Sequence, residues 1–551
     1  MLRRILPTLK RPAPWLLGFV YACVLGVGGS LNPESGTPNW LSLCLLILLL
    51  TPLCAFLCGG AFYALAHRRE PANRPAGKVL AQFDALKPAH KFLLRMGVML
   101  VGWMPLFISA APGFYCYDAY AQWLEYTNHA ITQHHPPIHT LLLGGSIEGL
   151  HTLLGDYNAA VSVYLTVQMF ALAAVFAFLL GRLAAWGARP VGRGLALAYF
   201  ACFPTIAFFA LSSTKDTLFS AAVLLFVVFL VDALKTPSRV RLWVGVGVFG
   251  TLTLLLRNNA LYAFLPFALL FLLSAKGMRK QAGAVFGAML TLMLLVTSVL
   301  YPVLGFPPAT IREKFCVPMQ QIARVYVQPD TLSEEQRVRV ARYIAPETLV
   351  LYNPTWADLV KNGFWSDAVG EDMGGFLALW AEIGLAHPKD YVDSFLLNTV
   401  QGWFPNAVMN GYNAPPSWEG LYPYDGTSYF EFNTEYPASV AQDGRLPGVR
   451  NFYRAIAKTD IPNRLPFVGL LFSPGALLWF LLFVLVYRLQ DKKNRRKDWL
   501  PLLFVFLLGC TIFLGPIMLP RYFLPLFFTF PVVVQKLDDR GQKTDNLPSA
   551  L

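Results

Sequence analysis

The sequence predicts an all-α polytopic membrane protein with about twelve transmembrane helices and a mixed extracytoplasmic domain. The first observation is composition: of 551 residues, 55% are hydrophobic and only 14% are charged, whereas soluble domains carry roughly 25% charged residues. The second is the length of the apolar runs, which at about 20 residues match the hydrocarbon thickness of a bilayer. The third is the alternation of Lys and Arg between successive loops.

Twelve apolar runs are assigned as candidate spans. They lie at 14–31, 41–66, 95–112, 159–181, 194–211, 217–234, 242–256, 260–275, 283–302, 466–487, 499–517 and 522–536. The basic start Met1-Leu2-Arg3-Arg4 leads into the first run without a small-residue cleavage site, so we expect the first span to be retained.

Loops rich in Lys and Arg alternate strictly with loops that hold few cations. The short loops of the second set hold only Lys215, Arg257 and Arg521. The positive-inside rule therefore predicts that the basic loops and both termini are cytoplasmic. It also accounts for the net charge of +13 without nucleic-acid binding. The basic loops are those that carry Arg3 to Arg11, Arg68 to Lys91, Arg182 to Arg193, Lys235 to Arg241, Lys276 to Lys280, Arg488 to Lys497, and Lys536 to Lys543.

This topology divides the chain into four parts. They are an N-terminal transmembrane module at 1–302 with an outer loop at 113–158, an extracytoplasmic domain at 303–465, C-terminal transmembrane helices at 466–537, and a cytoplasmic tail at 538–551. In the outer domain, Ser333 is placed to cap a helix whose first turn holds Glu335 and Gln336. Cys116 and Cys316 are the cysteines of the outer segments, where a disulfide between them is one alternative.

Asp118 stands in a short polar stretch of the first outer loop, between Tyr117 and Tyr120. Glu125 follows it by seven residues, so on a helix the two carboxylates would share a face two turns apart. A carboxylate at this place could accept a proton from an attacking hydroxyl. The alternative is an N-cap for a helix that starts near Ala119.

The motif His134-His135-Pro136-Pro137-Ile138-His139 follows in the same loop. The two prolines predict an extended turn and then a helix from Ile138 to about Leu154. The imidazoles could bind phosphate, ligate a metal or shuttle protons, or they could form a polar start to an interfacial helix. Asp118 with two histidines could supply the three ligands of a divalent metal, so a metal site is left open and no cofactor is certain.

Three further polar groups lie at predicted outer ends of spans: Lys215-Asp216, Arg257-Asn258-Asn259 and Arg521-Tyr522. Each has a simple alternative, a snorkelling pair or an anchoring arginine. Ionisable groups near membrane depth are costly and often functional, and arginine suits phosphate recognition. Since all of these groups are assigned to one side, together with Asp118 and the histidines, we expect one shared site.

The pattern resembles the GT-C superfamily of membrane glycosyltransferases, especially the protein O-mannosyltransferase and aminoarabinose-transferase type. Asp118 matches the acidic residue of the family's first outer loop. His135-Pro136-Pro137 is similar to the family's Lys-Pro-Pro, and Arg521-Tyr522-Phe523-Leu524-Pro525 resembles its Arg-Tyr…Pro element near the last span. The segment Tyr352-Asn353-Pro354…Asp358…Lys361 also resembles uncharacterised bacterial membrane proteins of this general type.

The resemblance implies transfer of a sugar from a polyprenyl-phosphate donor to a glycan, lipid or protein acceptor on the outer face of the membrane. Because no eukaryotic retrieval signal is evident, we expect this to be a bacterial plasma membrane, with a eukaryotic reticulum membrane as the alternative. Asp118 would be the base or would orient the acceptor. The lipid tail of the donor would lie among membrane lipids, between spans. The residues expected to hold the donor phosphate are His134, His135, Lys215, Arg257, Asn258, Arg521 and Tyr522, supported by Tyr117, Tyr120, Pro136, Pro137, His139, Asp216 and Asn259.

Three other functions are compatible with the same residues. A lipid-linked glycan polymerase or ligase would run a related reaction with a longer acceptor. A transporter or flippase for a lipid-linked glycan would use the cations without a base, and it should tolerate Asp118→Asn better than a transferase. A metal-dependent membrane hydrolase would use Asp118 and the histidines as ligands.

Overall fold

The computed structural model describes residues 2–32, 34–68, 83, 85–407, 429–430, 444–459, 461–465, 467–490 and 497–538. Their regular structure is helical, and the only β-pairings among them are isolated bridges. The all-α prediction is confirmed for these residues, and a mixed extracytoplasmic domain is not. The predicted basic residues Arg69, Arg74, Lys78, Lys492, Lys493, Arg495 and Arg496, and the predicted tail beyond Asp538, lie outside the described residues.

Six helices are long and apolar enough to cross a membrane, which confirms the membrane class. They are α2 (Pro12–Ser30), α3 (Trp40–Ala66), α4 (Pro88–Ala110), α7 (Tyr157–Ala185), α10 (Lys215–Lys235) and the segment Lys276–Val303, whose central helix is α13 (Arg279–Leu295). A helix rises about 1.5 Å per residue, so each reaches across the hydrocarbon core. Two helices bent by 54° at a break, α8 (Pro190–Cys202) and α9 (Pro204–Ala210), form a further crossing if they are one span.

The other predicted spans fall on shorter apolar helices. These are α11 (Val240–Leu256), α12 (Ala260–Ser274), α24 (Pro474–Leu489), α25 (Leu500–Thr511) and α26 (Leu524–Asp538). Their lengths do not by themselves establish a crossing, so the count of twelve stays a prediction. The first helix, α1 (Leu2–Leu9), is followed directly by α2.

Helix α10 is the centre of the bundle. It is apolar on all sides, and α7, α11, α25 and α26 pack around it. In its middle, the ring of Phe226 contacts those of Phe267 and Phe504. A helix that is apolar all round is stable only when it is covered all round, which explains why α10 is the most buried of the long helices.

The two ends of α10 carry different polar clusters. At its C-terminal end, Asp232 accepts hydrogen bonds from Arg182 at 2.9 Å and from the indole of Trp186 at 2.6 Å. Lys235 and Lys536 lie over the Trp186 ring, and Arg488 bonds Asp498 at 2.6 Å. We call this the basic end. The N-terminal end of α10 begins at Lys215 and is called the site end.

The first outer loop holds two helices, α5 (Ala119–Thr127) and α6 (Pro137–Leu154). The second agrees with the predicted helix. The two helices pack closely because Gly144 leaves room for the Tyr126 side chain. Gln122 of α5 joins them by donating to Thr140 at 3.0 Å.

A helical domain follows α13 in the segment predicted to be extracytoplasmic, and we call it the outer domain after that prediction. Its core is formed by helices α14 (Cys316–Tyr326), α15 (Glu334–Ala341), α16 (Pro346–Leu349), α17 (Asp358–Lys361), α18 (Ser366–Glu371), α19 (Met373–Ala386) and α20 (Pro388–Trp403). Ser333 caps α15 in a capping box with Gln336, as predicted. The domain contacts the segment before α26 through Ala357, whose N–H donates to the Pro516 carbonyl at 2.8 Å.

The later part of the predicted domain packs differently. Helix α21 (Pro447–Lys458) lies against α4, and its Tyr453 and Ile456 belong to the core of the membrane helices, together with Tyr429 and Phe430. Two short helices, α22 (Ile461–Arg464) and α23 (Val468–Phe472), then lead to α24. Cys116 and Cys316 form no disulfide bond with each other, and they belong to separate cores.

Candidate active site

Asp118 occupies the N-cap position of α5, but its side chain makes no capping bond. Its carboxylate instead accepts hydrogen bonds from Lys215 and from Arg521, the latter at 3.0 Å. The interpretation of Asp118 as a helix cap is therefore wrong for its side chain. With 26% of that side chain exposed, the carboxylate remains within reach of a ligand.

Backbone pairing brings Lys215 to this carboxylate. The segment before α10 runs beside the segment before α5: the N–H of Ser213 donates to the Phe114 carbonyl at 2.9 Å, and Phe114 forms a bridge with Ser212. Lys215 is the first residue of α10, where Thr214 caps the helix. Besides Asp118, its ammonium lies 3.2 Å from Nδ1 of His135.

A second carboxylate, Asp216, extends the cluster. It is fully buried, and Arg257, at the C-terminal end of α11, pairs with it. Nε of Arg521 lies 3.8 Å from the same carboxylate, so Arg521 stands between Asp216 and Asp118. The four segments that the sequence predicts to lie on one side of the membrane thus meet in one place.

Two tyrosine rings orient the guanidinium groups. Arg257 lies 4.4 Å from the centre of the Tyr522 ring, and Arg521 lies 4.6 Å from that of Tyr117. Arg521 also donates to the Tyr522 hydroxyl at 2.9 Å. Tyr117 adopts φ of +60°, which costs a non-glycine residue about 1 kcal/mol or more. Stacking on aromatic faces restricts arginine without consuming its N–H donors.

The charges of the cluster do not cancel. Burial alone would raise the pKa of Asp118, but the charges of Arg521 and Lys215 outweigh burial and hold that pKa well below its usual range. Burial, with the charge of Lys215, lowers the pKa of His135 to about 3, so this imidazole is neutral. Three cations face two carboxylates, which leaves one net positive charge.

The backbone adds to this positive character. Asp118, Lys215 and Arg521 lie at the beginnings of α5, α10 and the 3-10 turn Pro520–Phe523, and His135 lies just before α6. The first N–H groups of a helix lack intrahelical acceptors and carry the positive end of its dipole. Together these groups make an environment suited to a phosphate.

A group of paired charges from the outer domain borders the cluster. The sequence singled out Asp358 and Lys361 but did not place them, or Glu313, beside the histidines. Nδ1 of His134 lies 3.8 Å from Glu313, and Glu313 pairs with Lys361 at 3.1 Å. Lys361 also pairs with Asp358 at 2.5 Å. Glu313 and Lys361 are distant in sequence from the first outer loop, so only the docking of the domain brings them to the histidines.

Several predicted residues lie outside the charge cluster. Asn258 is exposed on its turn, whereas Asn259 donates to Thr511 at 2.9 Å. Tyr120 stacks on Trp123. His139 is buried and contacts the Gln122 amide oxygen at 3.1 Å through Nδ1. Asn258, Asn259, Tyr120 and His139 therefore do not join the cations, while Pro136 and Pro137 act by starting α6.

The donor set does not fit a metal site. Asp118 is already paired with two cations, and Nδ1 of His135 faces the Lys215 ammonium. Across the part of the chain that the structure describes, no three His, Cys, Asp or Glu side chains are grouped so that they could hold a metal ion.

Fold and site together define a helical membrane protein with a buried, net positive charge cluster at one end of its bundle. A family model described as "Family of unknown function (DUF6020)" matches residues 126–546, and the chain belongs to this family. The match includes all three cations of the cluster and begins after Asp118. Searches of curated proteins and of solved structures find no match.

Proposed function

We propose that the protein is a GT-C-type glycosyltransferase with about twelve membrane crossings, which moves a sugar from a polyprenyl-phosphate donor to an acceptor. The single observation that carries this proposal is the meeting of Lys215, Arg257 and Arg521 around Asp118 and Asp216. Charge groups from four distant parts of the chain are costly to gather at the end of an apolar bundle, and a site for a charged substrate explains the cost.

The cations suit the leaving group. When the bond between the sugar and the phosphate breaks, the polyprenyl phosphate gains one negative charge. The net positive cluster and the helix N-termini stabilise that charge as it develops, without reorganising during the reaction. The apolar bundle supplies the surface along which the lipid tail lies.

Asp118 acts in this proposal by orientation rather than as the base. Its carboxylate holds Lys215 and Arg521, and these charges keep its pKa well below the usual range, against the effect of burial. A group with so low a proton affinity is a poor proton acceptor at neutral pH. The exposed part of the carboxylate can still help to orient the acceptor.

We place the site on the extracytoplasmic face of a bacterial plasma membrane, with both termini cytoplasmic. What supports this side is the position of the basic end. Arg182, Lys235, Arg488 and Lys536, all from loops predicted to be cytoplasmic, gather at the opposite end of α10.

The test is sugar transfer by the purified protein in detergent from a panel of radiolabelled polyprenyl-phosphate sugars. Wild type is compared with Asp118→Ala, and each with and without a chelator. We expect turnover that Asp118→Ala abolishes and the chelator leaves unchanged. Donor binding without turnover, unaffected by the substitution, would instead indicate a transporter, and chelator-sensitive hydrolysis would indicate a metal-dependent hydrolase.

A further inference from the structure

Glu125 is a carboxylate beside the cluster that no cation neutralises by direct contact among the described residues. It lies on α5 and is half-buried. One oxygen, Oε1, accepts a weak hydrogen bond from Thr132 at 3.3 Å. The other, Oε2, is buried and has no hydrogen-bond partner within the described part of the chain. A buried carboxylate oxygen without a partner is costly, which suggests that a ligand group completes it.

Helix geometry directs the Glu125 side chain towards the cluster. Glu125 follows Asp118 by seven residues, so both lie on one face of α5, about 10 Å apart along its axis. Helical side chains lean towards the N-terminus of their helix, which directs Glu125 back towards Asp118. Consistent with this placement, the charges of Lys215 and Asp118 both act on its carboxyl.

Glu125 also has the proton affinity that Asp118 lacks. Burial raises the pKa of Glu125 to about 7, with the Thr132 hydrogen bond and the Lys215 charge opposing the rise. General bases work best when their pKa lies near the working pH. Asp118 is held by two cations, whereas Glu125 has a lone pair available.

We propose that Glu125 is the catalytic residue that takes the acceptor's proton, an inference that rests on the proposed sugar transfer. The acceptor hydroxyl oxygen forms a bond to the anomeric carbon of the sugar. The bond between that carbon and the phosphate oxygen breaks, and its electron pair leaves with the polyprenyl phosphate. The hydroxyl proton moves to Oε2 of Glu125 and is released to water after the product leaves.

The surrounding ionisable groups are compatible with this role. Asp118 and Lys215 act on Glu125 from the beginnings of α5 and α10. Helix α6, which packs on α5, contributes His139 and Glu148. Burial lowers the pKa of His139 to about 3, so it is neutral, and Glu148 is bound by Trp123 at 2.6 Å and by Tyr157.

The experiment compares wild type, Glu125→Gln, Glu125→Asp and the exposed control Glu347→Gln in the transfer assay between pH 5 and about 9. Glu125→Gln should lower kcat by about 10²-fold or more. It should leave the donor KM within about threefold, because Lys215, Arg257 and Arg521, which are proposed to bind the donor phosphate, are unchanged. Wild-type kcat should rise with pH to a plateau above about pH 7, and Glu125→Asp should retain part of the activity.

The outcomes separate this inference from the proposed function. Wild-type turnover that Glu125→Gln retains within about threefold would overturn the role of Glu125 and leave sugar transfer standing. An inactive wild type, with every donor tested, would overturn sugar transfer and this inference with it. Thermal unfolding of each variant excludes misfolding as the cause of a lost rate.

Stability provides a second readout that does not depend on turnover. The pKa of Glu125 is raised from 4.5 to about 7 on folding, so between these pH values the folded state keeps a proton that the unfolded state has lost. The free energy of unfolding therefore falls as pH rises through that window. Glu125→Gln should flatten this part of the profile, and an unchanged profile would contradict the burial of the carboxyl.

Discussion

Asp118 illustrates how a single residue can satisfy a sequence pattern and yet act differently. It stands at the N-cap of α5, where a carboxylate commonly bonds the first free N–H groups. Lys215 and Arg521 compete with these N–H groups for the oxygens of the Asp118 carboxylate. Hydrogen bonds from charged donors are stronger than those from neutral donors. The side chain therefore turns to Lys215 and Arg521.

Asp118→Asn should separate turnover from binding. The amide removes one negative charge, so the net charge of the cluster rises from one to two positive charges. Lys215 and Arg521 also lose the carboxylate that accepts their hydrogen bonds. We expect sugar transfer to fall by about 10²-fold or more and polyprenyl phosphate to bind at least as tightly as in wild type. Rates and donor affinity, measured by calorimetry, check this split.

The control for Asp118→Asn is Asp156→Asn, in the same outer loop. Asp156 caps α7 by accepting from the N–H groups of Asn158 and Ala159 and makes no contact with the cluster. It should lose about 1 kcal/mol of stability at most and keep its activity. Equal rates for the two variants would remove the special role given to Asp118.

Arg257→Gln tests whether the cations of the cluster bind the donor phosphate. The substitution removes one of the two charges that lie over Tyr522 and leaves Asp216 with Arg521 and the Thr214 hydroxyl as partners among the described residues. A charge-assisted hydrogen bond contributes about 1.5–3 kcal/mol, so we expect the donor to bind about 10- to 100-fold more weakly. Arg342→Gln, an exposed arginine of the outer domain, is the control and should bind the donor as wild type does.

At the scale of elements, the short outer loop between α2 and α3 is held by the outer domain. Asp393 of α20 is fully buried and accepts hydrogen bonds from the backbone N–H and the hydroxyl of Thr37, at 3.0 and 2.6 Å. Lys389 and the buried Arg324 balance its charge. The N-terminal helix pair is thereby connected to the domain that borders the site.

Asp393→Ala should release this loop. It removes both bonds to Thr37 and leaves Arg324 without one of its buried counter-charges, a change that costs about 3–5 kcal/mol in comparable buried pairs. Hydrogen exchange at residues 34–39 and the unfolding temperature in detergent measure the effect. Glu382→Gln, which breaks the exposed pair with Arg339, should lower the unfolding temperature far less, because solvent screens an exposed ion pair; equal losses would contradict the buried connection.

At the scale of the whole molecule, sequence patterns predicted much of the architecture. Apolar runs of bilayer length marked the long helices, because lipid-facing and core-facing sides are both apolar in such helices. Charge alternation placed Lys215, Arg257 and Arg521 on one side, and they do meet. Apolar runs are local features of the sequence, and charge alternation depends only on the order of the loops along the chain.

Contacts set by tertiary docking could not be predicted in the same way. Glu313 and Lys361 reach the histidines only because the outer domain folds back onto the first outer loop. The helical nature of that domain was also missed, since its short helices, such as α16 and α17, have only four residues each and little periodicity to detect.

The orientation of the bundle can be tested by labelling introduced cysteines with a membrane-impermeant maleimide. Ser35 is exposed near the outer domain, and Ser238 is exposed in the loop after α10 at the basic end. We expect Ser35→Cys to react in intact bacteria or right-side-out vesicles and Ser238→Cys to react only after permeabilisation. The wild-type chain provides the background of its own cysteines, and the reverse pattern would place the site in the cytoplasm.

The proposed activity of this cluster is transfer of a sugar from a lipid phosphate. The most direct measurement incubates purified wild-type protein with a polyprenyl-phosphate sugar and an acceptor, and quantifies sugar product and polyprenyl phosphate by mass spectrometry. We expect the two to appear mole for mole and both to be lost in Asp118→Ala. A donor that binds but is recovered chemically unchanged, across every sugar and acceptor tested, would contradict it.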